Sequence, residues 1–293
     1  MNKIPYLVEN NKNNIRNENC VIINPILHSR RNMNTKYQEE EILNLAKSIN
    51  LTVPLNESLK IRQISPSHFF GKGQINNLKL NLKEYLSNLL LINSQISPIQ
   101  QRNLELSLNC KILDRTGLIL EIFGERAITK QGKLQVELAS LSYQKSRLVR
   151  SWTHLERQRG GFGFMGGPGE RQIESDKRQI NKRINKIKKE IKKIDSNKIM
   201  QRRNRSSNPF VSLVGYTNAG KSTIFNYLTK EKVFVKNQLF ATLDTTMRKC
   251  LISNNKNIIL SDTVGFIKNL PTELVTSFKT TLDEINYSDY LLH

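Results

Sequence analysis

At 293 residues, with 38% hydrophobic and 24% charged residues, the chain has material for two or three domains and fits neither the disordered nor the membrane-embedded class. No run reaches the ~20 apolar residues of a bilayer-spanning helix. The opening MNKIPYLVENNKNNIRNENC has no apolar stretch behind its lysine, so it does not read as a signal peptide. A formal charge of +21 draws the chain to polyanions, of which nucleic acid is the commonest in a cytoplasm. Stretches such as NNKNNIRNEN also carry the Asn-Ile-Lys bias of an AT-rich genome, a second source of lysine. Cys20, Cys110 and Cys250 are widely spaced, make neither a disulfide framework nor a zinc motif, and point to a reducing cytoplasm.

In residues 20 to 127, short apolar runs alternate with helical spacing. CVIINPIL and NLLLIN are too short for helices and read as buried strands, and CKILDRTG reads as another strand followed by a turn. EEEILNLAKSI and SPIQQRNLELSL read as helices, the second opened by Ser97 at the N-cap and Pro98 in the first turn. FFGKGQ, Phe69 to Gln74, lacks the full dinucleotide-binding spacing and reads as a strand-to-helix turn. Alternating strands and helices imply an open sheet with helices packed on it.

Residues 131 to 205 change character. Leu134, Leu138, Leu141, Leu148, Trp152 and Leu155 form one heptad seam, and Ile173, Ile180, Ile184, Ile187, Ile191 and Ile194 form another. Between them RGGFGFMGGPGE holds six glycines, too many to continue a helix. An antiparallel helical hairpin with a glycine-rich tip is the simplest object. From Lys145 to Arg205 there are 19 Lys or Arg against 6 Asp or Glu, well over half the surplus charge of the whole chain. Arg157, Arg159 and Arg171 flank a tip carrying Phe162, Phe164 and Met165, a set suited to RNA phosphates and unpaired bases. A solvated coiled-coil face with an irregular turn is the plainer reading of the same residues.

The chemistry lies after residue 208. PFVSLVG runs as a strand into GYTNAGKS, which matches G-x-x-x-x-G-K-[ST], and STIFNYL follows as a helix. Gly215 and Gly220 let the backbone curl until its N–H groups converge on phosphate oxygens at a helix N-terminus. Lys221 supplies charge to the terminal phosphates, and Ser222 offers a hydroxyl to magnesium. NIILSDTVGF is a strand ending in Asp262, Thr263, Val264 and Gly265. There Asp262 can hold magnesium through water and the Gly265 N–H can meet a γ-phosphate. Between them LFATLDTTMRK offers Thr242, Thr245 and Thr246 as candidate magnesium ligands, and spacing alone does not choose among the three.

Taken together, DRTGLILEIFGERA, GKLQVELA, GGPGE, GYTNAGKST, LFATLD and DTVGFI resemble the HflX family of ribosome-associated GTPases, over residues 20 to 293. The resemblance implies an α/β chain of three parts. These are an N-terminal α/β domain (1–130), an antiparallel helical hairpin or coiled coil (131–207) and a P-loop GTPase domain (208–293). It implies GTP and GDP as ligands, Mg2+ as cofactor, and a monomer in the cytoplasm without a membrane span. It further implies association with the large ribosomal subunit and its rRNA, the hairpin tip reaching the peptidyl-transferase region, and a part in splitting or rescuing stalled ribosomes. Carried over, Gly215, Tyr216, Thr217, Asn218, Ala219, Gly220, Lys221 and Ser222 bind phosphates. Phe240, Ala241, Thr242, Leu243 and Asp244 form the switch over the nucleotide, with Thr242 and Ser222 as magnesium ligands. Asp262, Thr263, Val264 and Gly265 sense the γ-phosphate. Lys221 and Asn218 carry the catalytic roles, Asn218 by holding a K+ ion.

Two departures qualify that picture. Phe266 stands where many small GTPases place a water-orienting glutamine, and a phenyl ring has no hydrogen-bonding group for that task. Slow intrinsic turnover accelerated by the ribosome is therefore expected. Between Gly265 and His293 there is no Asn-Lys-x-Asp motif for guanine, and the chain stops at YSDYLLH, where a next strand should begin. By resemblance about half of the nucleotide domain is missing, which predicts an exposed sheet edge, lower affinity and no visible source of guanine selectivity. Thr245 replaces the proline of the family's LDPT and should loosen the switch. A non-catalytic RNA- or ribosome-binding protein acting through the hairpin is the alternative reading, and a generic P-loop ATPase is a third.

Overall fold

The computed structural model describes residues 18–27, 35–158, 168–203, 208–230, 239–240, 242–243, 245–253, 256–267, 274 and 285–293. The chain divides into two compact units, one of residues 1–122 with 146–165 and one of residues 123–145 with 166–293.

In the first unit, β1 (Asn19–Leu27), β2 (Thr52–Ile61), β3 (Leu89–Ile92) and β4 (Lys111–Asp114) form an all-parallel sheet in the order β2-β1-β3-β4. Helices α1 (Thr35–Ser48), α2 (Lys72–Glu84) and α3 (Pro98–Leu108) alternate with the strands. Every residue of β3 is buried, which is why its sequence is a continuous apolar run rather than an alternating one. Val21, Ile23, Leu90 and Ile92 on one face pack with Leu78 of α2 and Leu104 of α3. Ser97 caps α3 as its sequence promises, accepting from Gln100 N at 3.2 Å while Gln100 Oε1 accepts from Ser97 N at 2.9 Å.

Strand β2, polar and carrying Pro54, has no clear strand signature and was not among the expected strands. It is tolerated because it lies at the sheet edge. Pro25 in β1 is likewise harmless, since β3 pairs with β1 only over Cys20 to Ile23. Where the strands end, Asn93 Nδ2 donates to Asn24 Oδ1 at 2.8 Å, and Arg115 Nη2 pairs with Glu41 Oε2 at 2.7 Å. DRTG is not the expected turn. Asp114 closes β4 and accepts from Gly117 N at 2.8 Å, so helix α4 (Arg115–Arg126) begins at once. Phe69 to Gln74 is the entry to α2, with Gly71 as its N-cap. It follows an isolated bridge between Ser65 and Phe69 rather than a named strand.

Helices α5 (Lys130–Gln158) and α6 (Pro168–Arg203) carry the two seams. Leu134, Leu138 and Leu141 are buried, as are Ile180, Ile184, Ile187 and Ile191. Gln131 Nε2 donates to Asp195 Oδ1 at 3.0 Å and Arg183 Nε to Glu137 Oε1 at 2.6 Å, cross-links that fix the pair as antiparallel. Residues 159–167 of the glycine tip, and the side chains of Trp152, Leu155 and Ile173, lie outside the described residues.

The second sheet has the order β6-β7-β5-β8, from β5 (Phe210–Leu213), β6 (Thr246–Ser253), β7 (Lys256–Asp262) and β8 (Tyr290–Leu292). Strands β7 and β8 run parallel to β5, and β6 is antiparallel to β7. The segment expected to begin a next strand thus forms β8, with all three residues exposed. Helix α7 (Lys221–Thr229) follows β5 and packs Phe225 against Val211, Leu213 and Leu260. Asp289 Oδ2 accepts from Phe210 N at 2.7 Å, tying the start of β5 to the turn before β8.

Candidate functional site

The site forms at the C-terminal ends of β5 and β7, the end of a parallel sheet where open α/β folds place their ligands. Strand β5 stops at Leu213 and the chain curls through residues 215–220 into α7. Three positions of that curl have positive φ: Gly215 at 150°, Asn218 at 62° and Gly220 at 88°. Glycine at 220 opens α7 in the left-handed region without the cost a β-carbon would bring. Tyr216, Asn218 and Ala219 are exposed, whereas Gly215 is buried and Thr217, Gly220, Lys221 and Ser222 are half-buried. Lys221 Nζ reaches back across the curl and donates to Gly215 O at 3.2 Å and Tyr216 O at 2.7 Å.

Strand β7 delivers Asp262, which is fully buried. Ser222 Oγ donates to Asp262 Oδ2 at 2.5 Å, Thr242 Oγ1 donates to the same oxygen at 2.9 Å, and the two hydroxyl oxygens lie 2.8 Å apart. With both hydroxyl hydrogens directed at the carboxylate, none is left to bridge Ser222 and Thr242. Two hydroxyl hydrogens therefore serve three short oxygen–oxygen contacts. Asp262 Oδ1 is buried and has no hydrogen-bond partner among the described residues. Burial raises the Asp262 carboxyl above its ordinary 3.8, against the opposing effects of the Ser222 and Thr242 hydroxyls and the Lys221 charge. Burial lowers the Lys221 ammonium, and the Asp262 charge opposes that shift. A compact set of hard oxygen donors with one carboxylate and one orphaned buried oxygen fits a small divalent cation, and the nearby Lys221 suits an anion beside it.

Of the three threonines left open by spacing, Thr242 is the one whose hydroxyl enters this cluster. Thr246 is instead the first residue of β6, paired with Asp262 across the ladder. Phe240 and Leu243 flank Thr242 and are buried, while Ala241 and Asp244 lie outside the described residues.

After Asp262 the chain crosses back over the phosphate-loop candidate. Thr263 is buried and donates Oγ1 to Leu213 O at 2.6 Å, and Val264 is buried beside it. Phe266 N donates to Gly215 O at 3.0 Å and Phe266 O accepts from Thr217 N at 2.9 Å, a two-bond parallel bridge. Gly265 is required by contact, since a β-carbon there would sit 2.6 Å from Thr217 Cα and 2.7 Å from Thr217 N. The Phe266 ring is exposed and brings no polar group to the site.

One residue at the switch has no counterpart in the motif reading. The Phe123 ring, on α4, meets Phe240 edge-on, with centroids 4.7 Å apart and planes at 88°. Nothing in the local sequence around Phe123 signals this, because the two residues are more than a hundred positions apart.

Three family models match the chain in order. They are a GTP-binding GTPase N-terminal region over residues 36–124, a GTP-binding GTPase middle region over 126–205, and a 50S ribosome-binding GTPase over 210–293. Among relatives, the GTPase HflX of Magnetococcus marinus is 52% identical over 256 residues, covering 87% of this chain and 59% of that protein. The GTPase HflX of Flavobacterium psychrophilum is 45% identical over 282 residues, covering 96% and 68%, and that of Escherichia coli is 47% identical over 230 residues, covering 78% and 54%. The chain therefore spans roughly half to two-thirds of the length of these relatives. Of solved structures, the SsGBP complex with GDP is 27% identical with a TM-score of 0.52, covering 94% of this chain and 70% of that one. A GTP-binding protein of Sulfolobus solfataricus in complex with GDP is 28% identical with a TM-score of 0.50, covering 94% and 69%.

Proposed function

The chain belongs to the HflX family of GTPases, and from that premise we propose that it binds GTP with Mg2+ at the Gly215–Ser222 loop, hydrolyses it to GDP and phosphate, and acts in the cytoplasm on the large ribosomal subunit. The observation that carries the nucleotide reading is the meeting of Ser222, Thr242 and Asp262 oxygens within 2.5 to 2.9 Å beside Lys221. The Asp262 carboxylate is fully buried, with Oδ1 unpartnered among the described residues, and a divalent cation would offset the cost of holding that charge there.

In this reading the amides of residues 215–222 converge on phosphate oxygens at the start of α7. Lys221 exchanges its two carbonyl partners for the terminal phosphates, trading neutral acceptors for charged ones. Ser222 and Thr242 would hold Mg2+ directly and Asp262 would hold it through water. Bound there, the ion supplies charge neutralisation for the phosphates. Asp262 must be ionised for that purpose, so its raised pKa makes nucleotide binding favour neutral over acidic pH. For a potassium ion, Asn218 offers an amide oxygen from an exposed position of the curl, and no step is routed through that ion. Phe266 cannot orient the attacking water. Turnover is therefore slow in isolation, and the ribosome accelerates it.

The basic hairpin supplies the ribosomal contact. Lys182, Lys186, Lys189 and Lys193 recur at helical spacing on α6, all exposed, on the side away from its buried isoleucines. That stripe suits rRNA phosphates, and splitting or rescue of stalled ribosomes is the outcome proposed for the contact.

Filter binding of labelled GTP and ATP, with and without 50S subunits, tests the whole reading. Lys221→Ala should abolish retention of GTP while leaving salt-sensitive sedimentation with 50S subunits intact. Retention of GTP by Lys221→Ala at the wild-type level would refute the phosphate site. Subunit binding without any nucleotide binding would favour a non-catalytic ribosome-binding protein, and equal retention of ATP a generic P-loop ATPase.

A further inference from the structure

The switch candidate around Thr242 is held by a residue from a distant part of the chain. Three apolar side chains next to Thr242 are anchored in the interior. Leu239, Phe240 and Leu243 are all buried. Phe240 adopts φ 56°, a left-handed conformation that a bulky residue takes at a cost. Such strain persists only where the surroundings over-determine it. The surroundings here include the Phe123 ring, 1% exposed, meeting the Phe240 ring edge-on at 4.7 Å. Phe123 belongs to α4, whose helical hydrogen bonding runs on through Ala127 N to Phe123 O at 3.0 Å, so the ring projects from regular backbone. Two residues beyond Phe240, the Thr242 hydroxyl stands 2.8 Å from Ser222 Oγ and 2.9 Å from Asp262 Oδ2.

We propose that Phe123 is a positioning residue for Thr242: its edge-to-face contact holds Phe240 in the left-handed conformation that presents the Thr242 hydroxyl to the cation cluster. The residue lies outside 210–293, the stretch matched by the nucleotide-domain family model, and inside 36–124, the stretch matched by the N-terminal one. An element from before the helical pair thus completes the nucleotide site, and a site lacking it loses one hydroxyl without losing the loop that binds phosphate. The inference rests on the nucleotide reading above for its meaning, and on the ring contact alone for its physics.

The first test reads the ring contact itself. In the full chain free of nucleotide, hydrogen exchange is followed in peptides covering 239–250 for wild type, Phe123→Leu and Phe240→Leu. An edge-to-face pair contributes enough that its loss should raise exchange there roughly three- to tenfold. Peptides from β5 and β7 should be unchanged. Equal exchange in all three proteins would overturn the proposal.

The second test asks whether the effect runs through Thr242. The Mg2+ concentration for half-maximal retention of the β,γ-imido analogue of GTP should rise roughly three- to tenfold in Phe123→Leu. GDP retention, which does not draw the switch threonine to a γ-phosphate-linked ion, should be unmoved. In a Thr242→Ala background the Phe123→Leu shift should vanish. A loss shared equally by GDP and the analogue, or a shift that survives in the Thr242→Ala background, would make Phe123 merely structural and overturn the proposal. If wild type retains neither nucleotide, the functional reading fails by itself, and the exchange measurement still decides for or against Phe123.

Discussion

Replacing Gly265 by alanine tests the most exacting contact in the site. The added β-carbon would lie 2.6 Å from Thr217 Cα and 2.7 Å from both Thr217 N and Thr217 Cγ2. Two of those atoms are backbone, so no rotamer change removes the clash. Overpacking of this kind costs about 1–3 kcal/mol. Relieving it by lifting the 265–266 peptide also breaks the bonds Phe266 N to Gly215 O at 3.0 Å and Thr217 N to Phe266 O at 2.9 Å. Each of those contributes about 0.5–1.5 kcal/mol net. The lifted arrangement lacks those bonds in wild type as well, so the bridged one should lose the overpacking cost of about 1–3 kcal/mol relative to it, a drop of roughly fivefold to 150-fold in its population. The assay is amide exchange at Thr217 and Phe266, read by NMR or short peptides. Both amides should exchange at least about fivefold faster in Gly265→Ala, while those of β5 and β7 hold. Exchange at Thr217 and Phe266 within about threefold of wild type would mean that the two loops do not pack as described, and the reasoning would fail.

Two further outcomes follow from the same geometry. Burial raises the Asp262 carboxyl above 3.8, so the folded chain holds this proton more tightly than the unfolded chain. The stability it contributes is then full below that value and is lost as pH rises through the shifted pKa. Asp262→Asn removes the loss, so without Mg2+ its melting temperature relative to wild type should climb as pH rises above the ordinary 3.8; a difference that stays flat with pH would contradict the assignment. In the helical pair, Ile187→Ala at a fully buried position should cost about 2–5 kcal/mol in chemical denaturation. Glu137→Gln, which breaks a partly exposed ion pair with Arg183, should cost no more than about 1 kcal/mol. Equal costs would show that charge rather than the isoleucine seam holds the pair.

What could be read without a structure was whatever is encoded by neighbours in the chain. The strand, glycine curl, lysine and helix of residues 210–229 are local, because one run of backbone both makes the curl and turns into a helix. Ser97 and Pro98 are local in the same way, and so are the two heptad seams, whose period reports a helix facing a partner. Strand β2 escaped because its edge position relaxes the demand for apolar, proline-free sequence. The DRTG turn was misread because Asp114, which could begin a turn, instead caps a helix.

Sequence alone determined that a phosphate-loop motif, a threonine-rich stretch and an acidic strand end occur in that order, since each is a short pattern of adjacent residue types. Only the tertiary structure brought the Thr242 hydroxyl onto Ser222 and Asp262, set Gly265 against the Thr217 backbone, and brought Phe123 onto Phe240. Those are pairings between remote segments, decided by which surfaces the folded backbone presses together. No local periodicity carries them, because the energy that selects them comes from packing and excluded volume rather than from the preferences of neighbouring residues.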